Sequence, residues 1–330
     1  MTKIEAARYE YKDWCSAIGI ETLEAVNETF RSGGGIDLIN LCEARQERKY
    51  AEIANQISYR HRKKPIIMIS GPSSSGKTSS SLRIAQQCRV LGLTPKVIEL
   101  DNYFLPREQT PRDEKGELDF EVLEAMDIER LNRDLNALLG GETVEPPKFD
   151  FVTGHPTPSG KPMQLEQTDI LLMEGIHALN PALTPAVDQA KIFRIYISAL
   201  SSLPGGEKVH NSTTDKRLLR RIVRDNRTRG ISPEDTLLRW PSVRRGEERN
   251  IFPYEENADV VFNSSTLYDV PVLKYYAEPL LEGIAESSPA YAKARTLITF
   301  LSQVVAIRPA EIAAIPPTSI MREFIGGQTL

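Results

Sequence analysis

Residues 71–79 read Gly-Pro-Ser-Ser-Ser-Gly-Lys-Thr-Ser, which places two glycines ahead of a lysine and a hydroxyl residue. Gly71 and Gly76 allow backbone angles and a close approach that side chains would block, so successive N–H groups can surround polyphosphate oxygens. In such a loop Lys77 reaches the β and γ phosphates, and the Thr78 hydroxyl holds Mg²⁺. The spacing predicts a phosphate-binding loop that uses ATP and Mg²⁺. The predicted nucleotide-binding residues are Gly71, Pro72, Ser73, Ser74, Ser75, Gly76, Lys77, Thr78 and Ser79.

A strand and a helix are predicted on either side of this loop. Residues 66–70 form a short apolar run that is typical of a buried strand, and residues 79–91 carry apolar side chains at helical spacing. The positive end of that helix would face the same anion as the loop. A Gly/Ser-rich turn that matched by chance would rarely have both neighbours, so we expect nucleotide binding.

Two carboxylates follow predicted strands further along the chain. Asp101 comes directly after the strand predicted at 96–100, and Glu174 ends the strand predicted at 169–173. The carboxyl ends of parallel strands face the ligand crevice, so both carboxylates are expected beside the phosphates. Asp101 is predicted to accept a hydroxyl proton or to bind on the metal side, and Glu174 to serve Mg²⁺. The alternatives are a turn or capping aspartate and a strand-terminal glutamate without a role.

An arginine-rich segment follows. Within residues 214–227 one face of a predicted helix carries Arg217, Arg220, Arg221 and Arg224, and apolar residues fill the other. Guanidinium groups stay ionised and bind phosphate oxygens in bidentate fashion, so concentrated arginine suits the neutralisation of a transferring phosphoryl group. We predict a mobile phosphate-clamping lid near residues 214–230, with a solvated charged face as the alternative.

Strands alternate with helical patterns through the middle of the chain, which predicts an α/β fold with a mostly parallel sheet flanked by helices. The predicted strands are 66–70, 96–100, 169–173, 193–198 and 258–262. A β-hairpin or extended flap is predicted between residues 144 and 165.

Three segments are predicted: an N-terminal helical appendage at 1–60, a core at 61–265 and a C-terminal helical extension at 266–330. The extension is expected to contain helices at 270–284 and 291–305. A cap at 316–319 then leads into a last short helix. The helical ends are candidates for a homo-oligomer interface.

The composition of the chain argues against several classes of protein. The net charge is −4, with 41 Lys and Arg against 45 Asp and Glu, so nothing global indicates a nucleic-acid or membrane surface. Cys15, Cys42 and Cys88 match no metal or redox spacing, which suits reduced thiols. No apolar run approaches membrane-spanning length, and we expect a cytoplasmic protein.

Five motifs follow one another along residues 65–265. They are Gly71-x4-Gly76-Lys77-Thr78, Asp101-Asn102-Tyr103-Phe104, Glu174-Gly175-Ile176-His177, the Arg-rich segment 215–229, and Ala258-Asp259-Val260-Val261-Phe262. Their order and spacing resemble the uridine kinase and phosphoribulokinase family of P-loop kinases. Three further stretches resemble its uridine kinase-like branch: Arg245-Gly246-Glu247-Glu248, Ile251-Phe252-Pro253 and Glu323-Phe324-Ile325-Gly326-Gly327.

The resemblance implies a P-loop NTPase fold and the roles already given for the loop, the two carboxylates and the arginines. It also places Tyr103 and Phe149 toward the acceptor. Where uridine kinases show Asn-Phe-Asp-His-Pro, this chain shows Asp-Phe-Glu-Val-Leu at 119–123, so Glu121 is expected to bind sugar hydroxyls. His155 stands one residue later than in the family's aromatic-Asp-Phe-x-x-His pattern. The predicted acceptor-binding residues are Tyr103, Phe120, Glu121, Phe149 and His155.

These features predict ATP-dependent phosphorylation of a small-molecule hydroxyl, namely the 5′-hydroxyl of a pyrimidine nucleoside such as uridine or cytidine. One alternative keeps the kinase and changes the acceptor to another sugar, a sugar phosphate or a polyol. The other is a regulatory module that binds a nucleotide without transferring phosphate to a metabolite. The guanine-reading sequence Asn-Lys-x-Asp is absent from the chain.

Overall fold

A computed structural model of the chain describes residues 1–112, 116, 118–200 and 213–330. The strands of this part of the chain are β1 (Ile66–Ser70), β2 (Thr94–Glu99), β3 (Pro147–Asp150), β4 (His155–Pro158), β5 (Asp169–Glu174), β6 (Ile192–Ser198) and β7 (Val260–Asn263). Five of them form a parallel sheet in the order β2-β5-β1-β6-β7, and β3 pairs with β4. The predicted parallel sheet is confirmed.

Helices cover this sheet and extend beyond it at both ends of the chain. They are α1 (Lys3–Ala17), α2 (Leu23–Arg31), α3 (Gly35–Arg60), α4 (Lys77–Val90), α5 (Ile128–Leu139), α6 (Thr213–Arg229), α7 (Pro233–Asn250), α8 (Asp269–Glu282), α9 (Tyr291–Leu301), α10 (Pro309–Ala314) and α11 (Ile320–Ile325). No helix in the described ranges is long and apolar enough to cross a membrane.

The central strand β1 is buried on both faces. Its side chains alternate, so Ile67 and Ile69 enter one apolar cluster while Ile66 and Met68 enter the other. All five residues of the strand are buried. Both faces of a parallel sheet must be covered in this way, which is why the strand reads as a continuous apolar run.

The N- and C-terminal helices pack onto the same side of the sheet as α4. One apolar cluster joins residues from α3, β1, α8 and α11, so all three predicted segments share a core. Asn27 of α2 also links the two ends, because its amide donates to the carbonyl of Gln303 and accepts from the N–H of Val305, both at 2.8 Å. The predicted helical extensions are confirmed, while the oligomer interface stays a prediction.

Local sequence signals fix the C-terminal helices and the hairpin. Ser319 accepts from the N–H of Met321 and caps α11, as the predicted cap at 316–319 requires. The predicted hairpin is the β3–β4 pair, in which Phe149 lies opposite Pro156. Phe149 also packs edge-on against Phe104, with ring centroids 5.7 Å apart, so the hairpin packs on the segment that follows β2.

Candidate active site at the phosphate loop

The loop at 71–76 connects β1 to α4 and has a backbone that ordinary side chains would disrupt. A Cβ atom on Gly71 would lie 1.9 Å from the carbonyl oxygen of Ile197, so no side chain fits there. Gly76 has φ +82° and Ser74 has φ +58°, which places both in the left-handed region. This conformation turns successive N–H groups inward, as a polyphosphate cradle requires.

Lys77 and Thr78 form the first turn of α4, at the positive end of the helix. The Lys77 ammonium lies 3.4 Å from the carbonyl oxygen of Pro72 and has no ion pair with any described residue. The Thr78 hydroxyl donates to the Glu174 carboxylate at 3.1 Å. The lysine charge is therefore available to an anion, and the Thr78–Glu174 pair lies beside it.

The sheet register brings Glu174 to the loop. Glu174 ends β5 and lies opposite Ile69 of β1, the strand that leads directly into the phosphate loop. Burial raises the pKa of the Glu174 carboxyl, and the nearby charge of Lys77 opposes that shift.

Asp101 follows β2 in a short 3-10 turn, and β2 pairs with β5 so that Glu99 lies opposite Glu174. Burial among protein atoms raises the pKa of the Asp101 carboxyl although the residue still meets solvent, while the charges of Lys77 and Arg229 lower it. The carboxyl group therefore shares the electrostatic environment of Lys77. The structure brings Lys77, Glu174 and Asp101 together at the carboxyl edge of the sheet.

These groups fit a magnesium ion bound with a nucleotide. Mg²⁺ is usually held by one or two carboxylates together with phosphate oxygens and water, and Glu174, Asp101 and the Thr78 hydroxyl are donors of that kind. Among the described residues no group of three or more His, Cys, Asp or Glu forms a metal cage by itself. A site completed by phosphate oxygens agrees with both observations.

Helix α6 carries the four predicted arginines, but its cationic face is largely buried. Arg217 and Arg220 are 1% and 0% exposed, respectively. Arg220 donates to the Asp269 carboxylate at 2.6 Å and to the carbonyl of Ser264 at 3.0 Å. Arg220 therefore points into α8 rather than toward the phosphate loop, so the structure does not place it among the arginines of the predicted phosphate-clamping lid.

Two of the other arginines lie closer to the loop. Arg221 donates to the Ser73 hydroxyl at 2.9 Å, and both Arg221 and Arg224 pair with the buried carboxylate of Asp225. Arg217 donates to the carbonyl of Ser73 at 3.0 Å. Arg217 and Arg221 thus contact the phosphate loop itself.

Two carboxylates at the loop have no assigned role in the sequence prediction. Glu247 of α7 is 1% exposed, pairs with Arg217 and accepts the N–H of Ser73 at 3.0 Å. Glu323 of α11 accepts the N–H of Ser79 at 3.4 Å. The excess of arginine on α6 is the available signal for Glu247, because buried guanidinium groups require carboxylate partners.

The predicted aromatic acceptor residues lie mostly in the core. Tyr103 is 1% exposed, and its hydroxyl donates to the Asp134 carboxylate at 3.2 Å, so it does not reach an open crevice. Phe149 is buried in the same apolar cluster. Phe120 packs at its edge against Phe104, with ring centroids 5.3 Å apart. All three rings therefore pack in or against the same apolar cluster.

Glu121 and His155 are placed very differently. Burial raises the pKa of the Glu121 carboxyl, and the charges of Arg221, which contacts Ser73 of the loop, and of Lys77 lower it. His155 is exposed on β4, where its Nε2 lies 3.3 Å from the Glu108 carboxylate. The predicted acceptor set is therefore not brought together as one group.

A cavity of about 380 Å³ adjoins Glu121 and is walled by the loop after β2 and by α7. Its charged lining comprises Arg112, Asp119, Glu121, Glu124, Arg245 and Arg249. The described residues that line it include no aromatic ring. The cavity is therefore polar, with both signs of charge.

Known proteins resemble this chain over its central part. Residues 66–271 match the family model described as Phosphoribulokinase / Uridine kinase family. A uridine kinase of Macrococcus caseolyticus (strain JCSC5402) is 32% identical over 201 residues, covering 60% of this chain and 87% of that protein. A uridine kinase of Chlamydia pneumoniae is 28% identical over 230 residues, covering 68% and 94%. A solved structure described as a possible uridine kinase from Bacillus stearothermophilus is 20% identical, with a TM-score of 0.42, covering 65% and 98%.

Proposed function

The chain belongs to the phosphoribulokinase/uridine kinase family and is a kinase, and from this premise we propose that it phosphorylates the 5′-hydroxyl of a pyrimidine nucleoside with Mg·ATP as donor. The observation that carries the proposal is the meeting of Lys77, Glu174 and Asp101 at the carboxyl edge of the sheet. A phosphoryl transfer needs a cation at the phosphates, a metal-side carboxylate and a group that accepts the hydroxyl proton. The three residues supply these requirements in that order.

In this proposal most of the rate enhancement comes from positioning the donor and acceptor and from neutralising the charge of the phosphates. Bound Mg·ATP supplies the phosphoryl group and a divalent charge on its oxygens. The loop N–H groups and Lys77 hold the phosphates, while Thr78 and Glu174 hold the metal side. Asp101 accepts the proton of the acceptor hydroxyl as that oxygen becomes a nucleophile. Arg221, which contacts the Ser73 hydroxyl, and Arg224, which shares Asp225 with it, would offset negative charge on the transferred group.

The nucleoside acceptor is supported by the curated relatives, which are named uridine kinases. Glu121 is the residue that we assign to the sugar hydroxyls, because it lines the polar cavity between α7 and the loop after β2. The base-reading residues of the family pattern are not reproduced, since His155 is exposed and paired with Glu108.

A second candidate acceptor is a sugar or sugar phosphate, which the polar cavity next to Glu121 favours. Three carboxylates can accept from several hydroxyl groups. Arg245 and Arg249 line the same cavity and have no ion pair with any described residue, so they could bind an anionic substituent. The absence of aromatic rings among the described lining residues removes the stacking surface that a base would use.

The experiment is ADP formation from Mg·ATP with a panel of nucleosides, sugars and sugar phosphates, with the mass of each product checked. ADP formation that depends on uridine or cytidine, together with a nucleoside monophosphate product, supports the first acceptor. Faster turnover with a sugar or sugar phosphate than with every nucleoside supports the second. Glu121→Gln should raise the KM of the true acceptor while leaving that of ATP near the wild-type value. An unchanged acceptor KM would remove Glu121 from the acceptor site.

A further inference from the structure

The C-terminal segment, residues 319–330, lies against the first turn of α4. Helix α11 packs on both α4 and α6. Ile320 sits directly over the phosphate loop, because a Cβ atom on Gly76 would lie 2.7 Å from its Cγ2 atom. Arg227 of α6 fixes this helix by donating to the carbonyls of Phe324 and Glu323 at 3.0 and 3.1 Å. The C-terminal segment is thus a wall of the phosphate-binding region.

Within this wall a carboxylate occupies donors that an anion would use. The Glu323 carboxylate accepts the backbone N–H of Ser79 at 3.4 Å and also accepts the Ser79 hydroxyl. The Gln328 side chain donates to the same hydroxyl at 2.7 Å. Ser79 belongs to the first turn of α4, whose free N–H groups and positive end favour negative charge.

Among the described residues Glu323 has no cation within ion-pair distance, and Arg229 interacts with it only at longer range. Glu323 forms no ion pair with any described residue, since Arg227 contacts only its backbone carbonyl. Its charge adds to the effect of burial in raising the pKa of the Glu174 carboxyl, so the two carboxylates lie in one electrostatic environment. A phosphate group of the donor that approached the Ser79 N–H would therefore meet the like charge of Glu323.

We propose that Glu323 is an internal competitor for the phosphates of the donor: its carboxylate holds Ser79 in the free protein, and the donor must displace it. The inference rests on the proposed binding of ATP at the phosphate loop. It gives the C-terminal segment an autoinhibitory contact that lowers donor affinity.

Two parts of the C-terminal segment differ in how firmly they are held. Helix α11 is anchored by buried side chains, namely Ile320, Met321, Phe324 and Ile325. Glu323 itself is half-buried, and Gly326 and Gly327 after it have φ of +96° and +77°. In this proposal, release of Ser79 needs a rotation of the Glu323 side chain and the loss of the Gln328 contact, while the buried side chains keep α11 in place.

The test is isothermal titration of the full chain with a non-hydrolysable ATP analogue in Mg²⁺, and separately with inorganic tripolyphosphate. Glu323→Gln keeps the shape of the side chain and removes its charge, so both ligands should bind about tenfold more tightly. Gln328→Ala, which removes only the support of the Ser79 hydroxyl, should give a smaller gain. Glu286→Gln, at an exposed position in the connection between α8 and α9, is the matched control and should bind like wild type.

Unchanged or weaker binding by Glu323→Gln, with a thermal midpoint equal to that of wild type, would overturn the inference. Lys77→Ala separates this failure from that of the proposed function. If Lys77→Ala abolishes the wild-type binding while Glu323→Gln matches wild type, only the inference fails. If neither wild type nor Glu323→Gln binds the ATP analogue, the proposed ATP-binding function fails and the inference fails with it.

Discussion

The guanidinium of Arg217 and the carboxylate of Glu247 form a bidentate pair, and both side chains are 1% exposed. The same carboxylate accepts the N–H of Ser73, while the guanidinium donates to the Ser73 carbonyl. The pair therefore binds both the N–H and the carbonyl of Ser73 in the phosphate loop. It joins α6 and α7 to the loop and fixes the loop conformation before any ligand binds.

Glu247→Gln is expected to lower the free energy of unfolding by about 3–5 kcal/mol, because it leaves the buried Arg217 charge without its partner. Glu248→Gln is the matched control. Its carboxylate is 60% exposed in a pair with Arg244, and an exposed pair contributes about 0–1 kcal/mol. Urea unfolding of both variants measures the difference. Equal losses in the two variants would show that the Arg217–Glu247 pair does not stabilise the fold.

Asp101→Asn is expected to reduce turnover by roughly 10²–10⁴, the range attributed to general acid–base assistance, while ATP affinity stays near the wild-type value. The amide keeps the size of the side chain and cannot accept the hydroxyl proton. Steady-state rates with the best acceptor and direct titration of the ATP analogue measure the two effects separately. Turnover equal to wild type would exclude Asp101 from proton transfer.

Gly71→Ala should weaken ATP binding by more than about tenfold and lower the free energy of unfolding by about 1–3 kcal/mol, as overpacking does. The added methyl group would collide with the carbonyl oxygen of Ile197, so the loop backbone must move. Gly283→Ala is the control, because its added Cβ atom would meet only ordinary contacts at 3.7 Å. A Gly71→Ala protein with wild-type ATP affinity would contradict the tight fit described for the loop.

His177 should make the protein less stable in acid. It is 2% exposed, and both ring nitrogens lack a well-formed hydrogen bond, so burial lowers the pKa of His177 to about 4 from its ordinary 6.5. Between these pH values the unfolded chain binds a proton that the folded chain does not, and stability falls as pH falls. The loss amounts to about 3 kcal/mol by pH 4.

His177→Gln should remove that part of the pH dependence. Urea unfolding of wild type and variant at several pH values between 4 and 7 provides the comparison. The difference in unfolding free energy between wild type and variant should change steadily from pH 7 to pH 4. Two parallel curves of free energy against pH would show that His177 does not cause this part of the acid sensitivity.

Sequence patterns predicted the sheet well because its signals are local. The apolar run at 66–70 coincides with β1, and the strand predicted at 96–100 corresponds to β2 at Thr94–Glu99. The short helix α10 is absent from the prediction. It spans only six residues, too few to show a helical period.

Only part of the candidate site is predicted from the sequence, because local patterns do not encode contacts between distant residues. The loop, Asp101 and Glu174 are signalled by residues next to strand ends, and the structure brings them together. Helical period correctly placed four arginines on one face of α6, but it carries no information about what packs on that face. Glu247 and Glu323 reach the loop from positions 174 and 244 residues away in sequence, and no local pattern encodes such pairings.

The bridge that Asn27 makes between the two ends of the chain bears on how this protein evolves. Its hydrogen bonds to Gln303 and Val305 tie α2 to the turn after α9, so the two extensions act as one cap over the sheet. Recombination that transferred residues 66–271 alone into another gene would strip off that cap and expose the apolar faces beneath it. A protein that kept residues 66–271 of this chain without that cap would therefore need polar residues on those faces, or another cover for them.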